Sequence, residues 1–118
     1  MSKLAEKILK EVYQKSSQIF GELLHDAYLY GSYARGDYGI GSDIDILLTV
    51  DLNYEELEKY TEKIAHISSE LSLENDIYVS ITMKPLDLFL KYSNILPYYK
   101  NVLSEGIRYA TWRNQGSI

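Results

Sequence analysis

Gly31-Ser-Tyr-Ala-Arg-Gly-Asp-Tyr-Gly-Ile-Gly-Ser-Asp-Ile-Asp-Ile-Leu-Leu48 is the stretch on which the reading of this chain turns. Its first part, Gly31 to Gly41, holds four of the chain's seven glycines, so a loop with at most one helical turn is expected there. Its second part opens the run Asp43-Ile-Asp-Ile-Leu-Leu-Thr-Val50, which alternates at its start and is rich in branched residues, as a strand with one face on a core would be. Residues i and i+2 of a strand share a side. Asp43 and Asp45 therefore project together, while Ile44, Ile46, Leu48 and Val50 face the other way. Just upstream, Ala27-Tyr-Leu-Tyr30 reads as a short buried strand running straight into Gly31.

Outward from this centre the periods are helical. Leu4, Ile8, Val12, Ile19 and Leu23 recur near helical spacing and predict an amphipathic helix from Lys3 to about Leu24. After a turn at Asp51 to Asn53, the residues Leu57, Tyr60, Ile64, Ile67 and Leu71 step by three and four, with Glu55, Glu58, Glu62 and Ser69 opposite them. Asp76-Ile-Tyr-Val-Ser-Ile-Thr-Met83 alternates strictly and predicts a third strand, with Asp76, Tyr78, Ser80 and Thr82 on one side. Pro85 suits the first turn of a short helix to about Tyr92, and a last helix is expected over Leu96 to Ile107. The segment 109–118 has no period and is expected to be a flexible tail. This order implies an α/β (α+β) fold: a small mixed sheet of about three or more strands with helices on one face, the face carrying the acidic residues being left open.

Composition narrows the function. A chain of 118 residues is expected to form a single domain, 1–118, and its apolar share of 46% and charged share of 25% are those of a globular protein. The net charge of −5 argues against a general nucleic-acid binder, because neutralising phosphates takes concentrated Lys and Arg. Cysteine is absent, which excludes thiolate metal sites and agrees with a reducing cytoplasm. No run is apolar enough to span a membrane, so a cytoplasmic protein is expected. Twelve tyrosines invite two readings, contact surface or core, and the group Tyr92, Leu96, Tyr98 and Tyr99 is a candidate partner surface.

The chemistry lies in the central stretch. Two carboxylates with Cα atoms about 7 Å apart on one strand side can grip a hard cation, and Mg²⁺ accepts such a partial shell with waters and substrate phosphates completing it. Gly31 lets the backbone approach a phosphate, the Ser32 hydroxyl can donate to it, and Arg35 can add a charge-assisted contact. Asp76 stands at the start of its strand, where a carboxylate is commonly a simple turn residue. His25 and His66 lack metal-ligand spacing, and Tyr33 and Tyr38 suit either base stacking or packing over the loop.

The run Gly31 to Leu48 resembles the signature of the DNA polymerase β-like nucleotidyltransferases, and the whole chain is similar to the minimal nucleotidyltransferase (MNT) antitoxins of HEPN-domain toxins. The resemblance implies a nucleotidyltransferase fold and a transfer assisted by two Mg²⁺ ions. Asp43, Asp45 and Asp76 would be the catalytic and metal-holding residues, and Gly31, Ser32, Arg35 and Ser42 would bind the nucleotide. It implies ATP as substrate and a HEPN toxin as partner, silenced by adenylylation of one of its tyrosines. Two alternatives stay open: an inactive antitoxin that neutralises by contact alone, and a transferase acting on a small molecule or RNA. An oligomer is also open.

Overall fold

The computed structural model describes residues 1–116. Helix α1 (Lys3–Phe20) starts where the Ser2 side chain accepts from the Ala5 amide at 3.0 Å, and stops at Gly21, whose positive φ of 58° an L-residue would resist. A 3-10 turn (Gly21–Leu23) leads into β1 (Leu24–Tyr30), then one helical turn, α2 (Ser32–Arg35), and β2 (Ile44–Val50). The long helix expected around Leu57 to Leu71 is split into α3 (Tyr54–Glu58) and α4 (Thr61–Asn75). A reciprocal capping box between Asn53 and Glu56 starts α3 directly after the expected turn at Asp51 to Asn53. There follow β3 (Val79–Pro85), α5 (Leu86–Tyr92), α6 (Pro97–Glu105), a short β4 (Ile107–Arg108) and α7 (Tyr109–Gly116).

The strands form a mixed sheet in the order β3-β2-β1-β4. β1 runs antiparallel to both β2 and β4, while β3 lies parallel to β2 because α3 and α4 carry the chain back to the starting end. One face packs Ala27, Leu29, Ile44, Ile46, Leu48, Val50 and Val79 against Ile8, Leu9 and Val12 of α1 and Ile64, Ile67 and Leu71 of α4. This is the core the alternating pattern anticipated.

The second face departs from the expectation of an open sheet. Tyr28 and Leu47 are buried there under Phe89 of α5 and Tyr99 and Val102 of α6, with the Phe89 ring 5.4 Å from Tyr28 and 5.2 Å from Tyr99. Helices thus cover part of this face too, while Asp45 and, along β3, Ser80, Thr82 and Lys84 stay partly accessible. The segment after Ile107 also differs from a loose tail. Residues 109–116 form α7, anchored by Tyr109, which is buried and stacked on Tyr13 of α1 at 4.0 Å between ring centroids. Residues 117–118, the rest of the expected tail, lie outside the described residues. Among the described residues no helix is long and apolar enough to cross a membrane.

Candidate functional site

The site is assembled where β1 ends and β2 begins. The register pairs Tyr30 with Asp45, so the glycine that follows Tyr30 meets the second carboxylate of the Asp-x-Asp pair across the strand gap. Gly31 has φ 75° and ψ −156°, a combination open essentially to glycine alone. A Cβ added there would lie 2.7 Å from Asp45 Oδ2. The backbone of the Gly-Ser corner therefore rests directly against a carboxylate, and any side chain at position 31 would displace it.

Asp43 stands just before β2 and is exposed, whereas Asp45 is half-buried within it. Burial pushes the Asp45 carboxyl above its ordinary range, and the neighbouring negative charge of Asp43 pushes it further. A half-buried carboxylate whose ionisation is made costlier by a second acidic side chain beside it is a place where a cation would be welcome. Their hard oxygen donors and open approach fit a magnesium ion whose shell is completed by phosphates and water.

Asp76 does not join them. It is the C-cap of α4, in the left-handed conformation at φ 50°, exposed, three residues ahead of the first residue of β3. The turn reading of this residue is the one its geometry supports, because a helix end needs a residue tolerant of positive φ and Asp is among the few that serve. Among the described residues no three His, Cys, Asp or Glu side chains gather as a metal-holding group. The residue of β3 level with Asp45 is Ser80.

The remaining candidates divide. Ser32 opens α2 beside Gly31 and is half-buried. Arg35 turns its guanidinium to Asp37 at 3.2 Å and to Glu105 of α6 at 3.5 Å, and the hydrogen bond it donates to Asp37 leads in holding its charge. Ser42 braces the loop: its Oγ accepts from the Gly39 amide at 3.0 Å and its own amide donates to the Gly39 carbonyl at 3.1 Å. Tyr33 and Tyr38 stack on each other at 4.1 Å, which is the packing alternative for that pair. His25 shares a hydrogen bond of 3.1 Å with the Thr49 hydroxyl, and His66 lies exposed beside Glu70.

Sequence reasoning missed the aromatic wall of the site. Tyr98 of α6 donates to the Tyr30 hydroxyl at 3.0 Å, and burial leads in raising the Tyr98 phenol, so it stays protonated. The contact spans 68 residues and leaves no local pattern; only the tyrosine run after Pro97 hinted at it.

Residues 5–109 match the model of the nucleotidyltransferase domain. The chain belongs to that family. Among curated relatives, a protein of Methanocaldococcus jannaschii named "Putative protein adenylyltransferase" is 42% identical over 74 residues, covering 63% of this chain and 73% of its own. Another of the same name and organism is 31% identical over 101 residues, 86% of this chain and 93% of its own. Among solved structures, this nucleotidyltransferase is similar in fold to a chain of a toxin–antitoxin complex crystallised with AMP-PNP, with a TM-score of 0.54 and 17% identity over 85% of this chain and 70% of the other. It is similar also to a chain of the toxin–antitoxin pair MntA–HpeT carrying two Asp-to-Glu substitutions two positions apart, with a TM-score of 0.52 and 18% identity over 88% and 70%.

Proposed function

We propose that this nucleotidyltransferase is an antitoxin that transfers AMP from ATP to a tyrosine of a HEPN-domain toxin, with the corner of Gly31, Ser32, Asp43 and Asp45 as its centre. The observation that carries the reading is the Asp45 carboxylate seated against Gly31 with Asp43 beside it. The names of the relatives and the toxin–antitoxin neighbours support the class of acceptor.

In this mechanism Gly31 and Ser32 admit and bind the triphosphate, and Asp43 and Asp45 would hold Mg²⁺. When bound, the cation supplies charge neutralisation for the phosphates and the departing pyrophosphate. The acceptor phenol attacks the α-phosphorus, the bond from that phosphorus to the bridging oxygen breaks, pyrophosphate leaves, and the phenolic proton passes to solvent. Tyr30 and Tyr98 wall the corner next to Asp45, so the incoming side chain meets an aromatic surface.

The test is to incubate the chain with the toxin encoded beside it, Mg²⁺ and ATP labelled at the α-phosphate. Label should appear on the toxin and vanish with Asp43→Asn and Asp45→Asn together; label that survives the double substitution would move the centre elsewhere. A second reading, inhibition by contact without transfer, draws on the absence of Asp76 from the site and on Ser80 at the neighbouring position. It requires full neutralisation of the toxin with no nucleotide present, whereas the first reading requires ATP.

A further inference from the structure

The number of cations a phosphoryl-transfer site can hold follows from its ligands. A pair of metals about 3.5–4 Å apart requires carboxylates that reach both, and each Mg²⁺ keeps water and phosphate only after one or two acidic side chains have fixed it. Asp43, just before β2, and Asp45, on it, are the two acids of the corner, so a further ligand held by the sheet must come from a neighbouring strand level with Asp45.

Both neighbours are known from the register. On β1 it is Tyr30, whose hydroxyl accepts from Tyr98. On β3 it is Ser80, half-buried and on the same side of the sheet as Asp45, since level residues of adjacent strands share a face. The other nearby acids are engaged or displaced: Asp37 and Glu105 bind Arg35, and Asp76 caps α4 in solvent. A serine hydroxyl is a neutral ligand and cannot replace a carboxylate between two dications.

Resting on the reading proposed above, we infer that Ser80 limits this corner to a single divalent cation per bound nucleotide. The triphosphate and leaving group receive a cation, and the acceptor hydroxyl receives none. Activation of that hydroxyl then falls to the acceptor's own surroundings, which restricts transfer to a partner that presents an already activated tyrosine and discriminates against free phenols and small alcohols.

The experiment counts cations directly. The wild-type chain, Ser80→Asp, Ser80→Ala and Asp45→Asn are dialysed to equilibrium against Mn²⁺ and a non-hydrolysable ATP analogue, and retained metal and retained nucleotide are measured separately, with circular dichroism to verify folding. One Mn²⁺ per retained nucleotide is expected for wild type and Ser80→Ala, and two for Ser80→Asp. Two in the wild type would overturn the role given to Ser80 while leaving the nucleotide site standing, and a well-folded Ser80→Asp that stays at one would overturn it as well. Retention of neither metal nor nucleotide by the wild type, or retention unchanged in Asp45→Asn, would remove the site itself. Should Ser80→Asp not fold, the wild-type count decides the question alone.

Discussion

Asp26 and Asp45 sit near opposite ends of the same face of the same strand pair, and the protein treats them in contrary ways. Asp26, on β1, is fully buried, yet it has a resident cation: Arg108 of β4 donates to its Oδ2, and the amides of Ala27 and Ala110 donate to Oδ1 at 2.8 and 3.2 Å. Asp45, on β2, is half-buried, and the charge that acts on its carboxyl is that of another acidic side chain, Asp43. One acid was given its counter-charge by the fold and serves to latch β4 and α7 onto the sheet. The other was left in surplus negative charge beside a glycine corner, the arrangement that the proposed metal-nucleotide site requires.

Substitutions at the two acids should separate these roles. Asp45→Asn should lower transfer by roughly 10³-fold or more, on the order of 4 kcal/mol of transition-state stabilisation. The same change should raise the melting temperature of the ligand-free protein at pH 7. The sign follows from the raised carboxyl: folding favours its protonated form, so its contribution to stability is full at low pH and is lost as pH rises through the folded-state value. A neutral amide lacks that loss, and thermal melts at pH 4 and pH 7 should show the variant's advantage only at the higher pH. A lower melting temperature at pH 7 would mean that Asp45 is structural like Asp26.

At the other end, Arg108→Met should cost about 3 kcal/mol in urea unfolding, because it strands the buried Asp26 carboxylate without its cation. Transfer per folded molecule should stay unchanged. Loss of activity without loss of stability would erase the contrast. The smallest effect should come from Gly106→Ala, which tests the β1–β4 seam: a Cβ there would lie 2.2 Å from the Val102 carbonyl oxygen and 3.2 Å from that of Leu29. About 1–3 kcal/mol of destabilisation is expected from such overpacking, again with activity retained.

Much of this was visible in the order of residues. The Gly-Ser corner, the loop and the Asp-x-Asp strand are separated by short, fixed distances, and a strand's period of two places both acids on one side whatever surrounds them. The apolar stripe of α4 and the alternation of β2 likewise named their buried faces in advance. Asp76 stayed open between site carboxylate and turn residue because alternation extended backwards past Val79, and nothing local distinguishes a strand's first residue from a helix cap held at positive φ. The short β4 was hidden because two residues carry no period, and it exists through pairing with Tyr28 and Leu29.

By itself, then, the sequence determined the chemistry on offer at β2, since identity and spacing along one strand decide which side chains stand together. Tertiary structure decided what that chemistry has for neighbours. It closed half of the second face with Phe89 and Tyr99, gave Arg108 to Asp26, and set Ser80 level with Asp45. Those relations join residues from 35 to 82 positions apart, through strand register and helix packing that depend on the whole chain settling into one arrangement.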